Sequence, residues 1–83
     1  MKILITGVAG FIGSSLALDL LKNKKNKIYG VDNLDSYSGV ALKKFRLSIL
    51  KKNKNFNFKK IDIFNSELVS SLFKKNKFEI VYH

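Results

Sequence analysis

The sequence has no cysteine, no proline and no tryptophan, and only one histidine and six acidic residues among its 83 positions. Each shortage excludes something. Without cysteine there is neither a disulfide scaffold nor a thiolate zinc site. The one histidine, His83, cannot assemble a metal cluster by itself. The length allows one small domain, not a two-domain enzyme. A chain of this size buries only about 60–65% of the surface its unfolded form exposes, so its stability margin is thin. Long apolar runs are also missing. Ile3 to Leu18 is sixteen residues without a charge, short of the roughly 20 that a membrane-spanning helix needs. A lysine followed by an apolar run has the outline of a signal peptide. However, Gly7, Gly10 and Gly13 interrupt the run, and a helical pattern continues past Asp19 with no clean cleavage site. The chain is therefore read as cytoplasmic.

What is abundant is lysine. Fifteen lysines and one arginine face six acids, giving a net charge of +10. A basic surface can meet nucleic acid or an anionic membrane. Readers of base edges depend on arginine, and Arg46 is the only one here. Lysine and asparagine together fill 23 of 83 positions, the pattern of a biased, solvated surface. Apolar residues still make up 46%, enough for a packed core. The segment 51–60, KKNKNFNFKK, sets Phe56 and Phe58 among lysines, where aromatics can stack bases. A small basic nucleic-acid-binding module is the alternative it raises. Yet Phe56 and Phe58 share one strand face, which sends them toward a core.

The chain alternates two periodicities. Lys2–Thr6 is a short apolar run, read as a buried strand. Phe11 to Asn23 carries Ile12, Leu16 and Leu20, with Ala17 and Leu21 beside them, as a helical stripe. Lys22, Lys24 and Lys25 suit its negative end. Lys27–Val31 is a second strand, and 33–39 a loop. Val40 to Lys52 places Leu42, Phe45, Ile49 and Leu50 on one helical face. Phe56 to Ile63 is a third strand. Asn65 or Ser66 can cap a helix lined by Leu68, Leu72 and Phe73, and Glu79–Tyr82 begins a fourth strand. This βαβαβαβ order implies an α/β fold, a partial Rossmann-type doubly wound parallel sheet with strand order 3-2-1-4.

The chemistry sits in the first turn. Gly7, Gly10 and Gly13 lie between a strand and a helix, and Asp32 follows Gly13 by 19 residues at the end of the next strand. In a dinucleotide site Gly7 allows the tight turn, Gly10 the approach of a pyrophosphate, and Gly13 close helix packing. Backbone N–H groups at Phe11 and Ile12 then meet the phosphates. Asp32 accepts from ribose hydroxyls and repels a 2′-phosphate, by about 1–4 kcal/mol at 4 Å. Asn33 and Leu34 add no cation, so the cofactor is NAD rather than NADP. Asp62 can bond adenine with Ile63 over the ring, or serve only as a turn or capping residue. Tyr37 and Lys43 can cover the adenosine or stand exposed.

The segment Ile5–Gly13, ITGVAGFIG, resembles the TGxxGFIG signature of the extended short-chain dehydrogenase/reductase family, the NAD-dependent nucleotide-sugar epimerases and dehydratases. Val31–Leu34 resembles its ribose-binding segment, and 31–47, VDNLDSYSGVALKKFRL, is similar to UDP-glucuronate 4-epimerases. Asp62 and Ile63 fall where that family contacts adenine. The resemblance implies a 4-epimerase that passes a hydride to NAD and back, a nucleotide-sugar substrate and a homodimer. It also implies a catalytic Tyr-x-x-x-Lys, but Tyr29, Tyr37 and Tyr82 all lack a lysine four residues on. Residues 1–83 are thus expected to be the N-terminal part of an NAD-binding domain, without catalytic groups and inactive alone. The last strand is expected to leave an open edge that favours association.

Overall fold

The computed structural model describes residues 1–34 and 39–83. Tyr37 lies outside them. Seven elements follow in order: β1 (Lys2–Thr6), α1 (Phe11–Leu21), β2 (Lys27–Asp32), α2 (Val40–Leu50), β3 (Phe56–Lys60), α3 (Ser66–Lys75) and β4 (Ile80–Tyr82). The four strands form one parallel sheet in the order β3-β2-β1-β4. The expected fold class and strand order are therefore observed. In register, Ile3 sits between Ile28 and Ile80, and Ile28 between Ile3 and Phe56.

Alternation along each strand divides the core in two. Ile3, Ile5, Ile28 and Phe56 join Ala17, Leu21, Leu47 and Leu50 under α1 and α2. Leu4 and Val31 point the other way and meet Ile61 and Leu72, with Val69 of α3 against them. Right-handed crossovers account for this split. The chain steps from β1 to β2 to β3 in one direction, so α1 and α2 share a face. It then reverses to reach β4, and α3 lands on the opposite face. The reversal point lies between β1 and β4, where open sheets of this kind bind ligands.

The helices bury only part of the stripes that the apolar spacing predicts: Leu16, Ala17, Leu20, Leu21 and Leu50 pack in the α1–α2 core as expected, and the rest of each stripe departs. In α1 the buried positions are Ser14, Ala17 and Leu21, whereas Phe11 and Ile12 are 70% and 82% exposed. In α2 they are Lys43, Leu47 and Leu50, with Leu42 and Phe45 exposed. The apolar stripes are wider than the ground each helix covers on the sheet. A small residue such as Ser14 or Ala17 wins where backbones run close. Of the α3 stripe only Leu72 is buried, while Leu68 and Phe73 remain exposed.

Boundaries shift by one to three residues. Helix α1 ends at Leu21, so Lys22 is its cap residue, and its amine reaches Asp19 at 3.4 Å. Strand β3 stops at Lys60, so Ile61, Asp62 and Ile63 lie past its end. Phe56 is buried and Phe58 is half-buried against the α1–α2 core, so the two aromatics serve packing.

One close approach fixes the sheet to the turn after β1. A Cβ on Gly30 of β2 would lie 2.6 Å from Val8 Cγ1. Gly30→Ala is expected to lower stability by about 1–3 kcal/mol through overpacking, read as a reduced Tm. In a Val8→Ala background the same substitution should cost measurably less.

Candidate functional site

The turn leaving β1 is built from its glycines. Gly7 takes φ +63°, a left-handed conformation open to glycine. A Cβ on Gly13 would overlap the Gly7 carbonyl oxygen and touch Val8 Cα at 3.0 Å, so α1 can rest on this turn only without a side chain there. Gly10 is the N-cap of α1 and supplies no side-chain cap. The first helical bond runs from the Ser14 N–H to the Gly10 carbonyl at 2.9 Å. The N–H groups of Phe11, Ile12 and Gly13 therefore precede any intrahelical acceptor. Helix α3 contrasts with this. Its N-cap Asn65 accepts from the Leu68 N–H, and Glu67 stands in its first turn. One helix start is closed by the protein; the other faces outward with its partial positive charge uncompensated by a first-turn acid.

Asp32 closes the loop from the other side. It is 4% exposed, at the end of β2. Its Oδ2 accepts from the Ala9 N–H at 3.1 Å, and its Oδ1 accepts from the Leu34 N–H at 2.8 Å and Lys43 Nζ at 3.2 Å. Leu34 takes φ +56°, a costly conformation for a leucine, held here by the Asp32 carboxylate. The carboxylate thus faces the glycine turn, with three of its roughly four lone-pair positions engaged by described residues.

Two clefts meet at Gly7. One, of about 190 Å³, is lined by Asp32, Asn33, Lys43, Asp62 and Ile63. The other, of about 550 Å³, runs over Gly10, Phe11, Ile12 and Gly13 to Tyr82 and His83 at the end of β4. At its floor Thr6 Oγ1 lies 3.1 Å from His83 Nδ1. The expected site residues Gly7, Gly10, Phe11, Ile12, Gly13, Asp32, Asn33, Asp62 and Ile63 all line one or other cleft. Leu34 packs instead against the α1–α2 core. Asp62 is exposed, and its Oδ1 accepts from the Phe64 N–H at 2.9 Å, which is the turn role the sequence left open. Among the described residues no group of three or more His, Cys, Asp or Glu side chains can hold a metal. No helix of the described chain is long and apolar enough to cross a membrane.

The roles of two cations escaped the sequence reading, in which Lys43 either covers the adenosine or stands exposed. Lys43 is buried rather than exposed, and it pairs with Asp32. Arg46 Nη1 donates to the Ala9 carbonyl at 3.2 Å, with its guanidinium 5.9 Å from the Phe11 ring centroid. The Ala9 peptide is therefore held at both ends, its N–H by Asp32 and its carbonyl by Arg46. The only available signal was the i, i+3 spacing of two cations on one predicted helix, which looks like any solvated face.

A family model described as GDP-mannose 4,6 dehydratase matches residues 4–83. The chain belongs to the GDP-mannose 4,6 dehydratase family. Within that family, it is 48% identical over 83 residues to a dTDP-D-glucose 4,6-dehydratase of Dictyostelium discoideum, covering 99% of this chain and 18% of that protein. It is 45% identical over 80 residues to a UDP-glucuronate 4-epimerase of Thermodesulfobacterium geofontis, covering 96% of this chain and 24% of that one. The solved UDP-glucuronic acid 4-epimerase of Bacillus cereus, in complex with UDP-glucuronic acid and NAD, superposes with TM-score 0.88 at 41% identity. That match covers 100% of this chain and 26% of the other. The chain thus spans about a quarter or less of the length of the family members it matches. It corresponds to their NAD-binding N-terminal part.

The Arg46 contact gives a local test. Arg46→Met should lower stability by about 1 kcal/mol, the worth of one hydrogen bond. It should also speed amide hydrogen exchange at Ala9 and Gly10 more than in the middle of α2. Equal acceleration at both places would count against a specific hold on the turn.

Proposed function

We propose that residues 1–83 are the N-terminal part of an NAD-binding domain and hold the adenosine and diphosphate of NAD. The observation that carries this is the uncapped start of α1, open to a cleft at the strand ends, with a buried carboxylate facing the same turn. The residues fit the cofactor. Gly7 and Gly10 keep the turn free of side chains where a diphosphate would lie, Gly13 lets α1 rest on that turn, and the N–H groups of Phe11, Ile12 and Gly13, which have no intrahelical acceptor, are the donors for it. Described residues engage three of the roughly four lone-pair positions of Asp32, and a ribose hydroxyl is the donor suited to the remaining one. Asn33 forms the ribose edge, and Asp62 and Ile63 the adenine side of the smaller cleft. A cofactor that approaches backbone this closely is excluded from a turn bearing side chains.

The protein that carries this segment is proposed to be a nucleotide-sugar 4-epimerase of the UDP-glucuronate type. The support is likeness: the epimerase of Bacillus cereus was solved with UDP-glucuronic acid and NAD. NAD, when bound, supplies a hydride acceptor that returns the hydride. These residues hold its adenosine end, and none of them is assigned a catalytic role. No tyrosine in the sequence is followed four positions later by lysine, so turnover requires groups beyond this segment. The reading carries with it a cytoplasmic location, a homodimer in the catalytically complete form, and no nucleic-acid partner. Against a nucleic-acid surface stands the burial of Phe56 and the packing of Phe58, which leaves the basic stretch without free aromatics.

Calorimetric titration with NAD is the test. Binding is expected in the parent chain, with at least about tenfold weakening, one charge-assisted hydrogen bond's worth, in Asp32→Ala and in Gly10→Val. Affinity unchanged in both variants would refute the half-site. Raising salt from 50 to 200 mM should change NAD affinity little, whereas a phosphate-backbone binder loses about 10³–10⁵ over that range.

A further inference from the structure

Sequence spacing gives Asp32 no cationic neighbour, but the fold supplies one. Lys43 stands on the first turn of α2, eleven residues away, and is 8% exposed. Its Nζ lies 3.2 Å from Asp32 Oδ1, and the two side chains are 10% and 3% exposed. Both line the cleft of about 190 Å³ together with Gly7, Asn33, Asp62 and Ile63. We propose that Lys43 is the specificity-determining residue of this cleft: a binding group for a ribose 2′-phosphate that Asp32 keeps occupied. The proposal rests on the dinucleotide half-site reading.

The reasoning follows from charge and valence. An acid at the end of the second strand meets the ribose 2′-hydroxyl, and a nearby cation is what accommodates a 2′-phosphate. Here both are present and neutralise each other. Repulsion by a lone carboxylate is therefore not what excludes a phosphorylated ribose. Exclusion comes instead from hydrogen-bond demand. Among the described residues Asp32 Oδ2 accepts one bond, from the Ala9 N–H, and any further bond to it needs a donor; a hydroxyl is a donor where a phosphate dianion is not. Lys43 meanwhile has one of its three N–H groups committed to Asp32. Asp62, the other acid among the described residues that line the cleft, is exposed and accepts from the Phe64 N–H, so water screens it.

Removing the charge at position 32 changes this balance. Lys43 would then be a buried ammonium without a counter-ion, which is costly unless an anion reaches it. The 2′-phosphate would be that anion. Removing Lys43 instead leaves Asp32 buried and unneutralised, and a phosphorylated ribose is then opposed by full like-charge repulsion. The two substitutions thus move selectivity in opposite directions. A purely structural role for the ion pair predicts equal losses for both ligands.

The test measures Kd for NAD and NADP at fixed salt with the 83-residue chain and its Asp32→Asn, Lys43→Met and combined variants. Circular dichroism confirms that each variant is folded. The parent is expected to prefer NAD. Asp32→Asn should move the NADP:NAD affinity ratio toward NADP by about tenfold, one charge-assisted hydrogen bond's worth. The added Lys43→Met should erase that gain. Lys43→Met alone should move the ratio about tenfold the other way, and Lys43→Arg should keep the parent's ratio. If Asp32→Asn fails to fold, the Lys43→Met ratio decides. A gain that persists in the combined variant, or a ratio indifferent to Lys43→Met, overturns the assignment of Lys43 while leaving the half-site intact. A folded parent that binds neither dinucleotide overturns the half-site reading, and the Lys43 proposal with it.

Discussion

The carboxylate of Asp32 joins three segments that are far apart in the chain. Its oxygens take the Ala9 N–H from the turn after β1, the Leu34 N–H from the loop after β2, and the Lys43 ammonium from α2. A buried charge is tolerated only when it is paired and hydrogen-bonded, and removing one partner of such a pair costs about 3–5 kcal/mol. The glycine turn, the positive φ of Leu34 and the seating of α2 are therefore coupled through one side chain. Arg46 adds a second strap on the same peptide, from Ala9 back to α2. A chain this short has little core to spare, so a polar knot of this kind shapes the binding edge that apolar packing leaves undetermined.

That edge is where the topology puts it. The reversal between β1 and β4 leaves a crevice at the strand ends, lined by the start of α1 and the end of β4. Helix α1 starts in this crevice without a cap, whereas α3 starts with Asn65 over its first turn. Both helix starts carry partial positive charge, but only one is left for a ligand to neutralise. Phe11 and Ile12 owe their exposure to the same circumstance. They belong to the first turn of α1, whose outward side lies along the cleft rather than on the sheet.

Much of the fold was legible because its signals are local. The alternation of short apolar runs with helical stretches predicts the parallel order, since right-handed crossovers leave few ways to arrange four such strands. The spacing of Gly7, Gly10 and Gly13, with Asp32 closing the next strand, predicts a diphosphate turn for equally local reasons. The faces of the helices were less legible. Leu42 and Phe45 look like core residues and are exposed, while Lys43 looks like surface and is buried. Hydrophobicity ranks side chains singly, whereas burial depends on how much of the sheet a helix covers and on whether a buried cation finds an anion. Asp62 shows the same limit. Its position past β3 was predictable, but the turn bond to the Phe64 N–H that occupies Oδ1 depends on where the strand ends.

The sequence by itself determined the βα order, the glycine turn, the acid that faces it and the family to which these belong, because each is written in residues close together along the chain. Only the tertiary structure decided that Asp32 is neutralised, that Lys43 and Arg46 brace the turn, and that the uncapped start of α1 opens onto the crevice. Those are contacts between segments separated by eleven to 37 residues. Whether two such segments meet depends on the packing of the whole sheet and its helices, which no local pattern of residue types encodes.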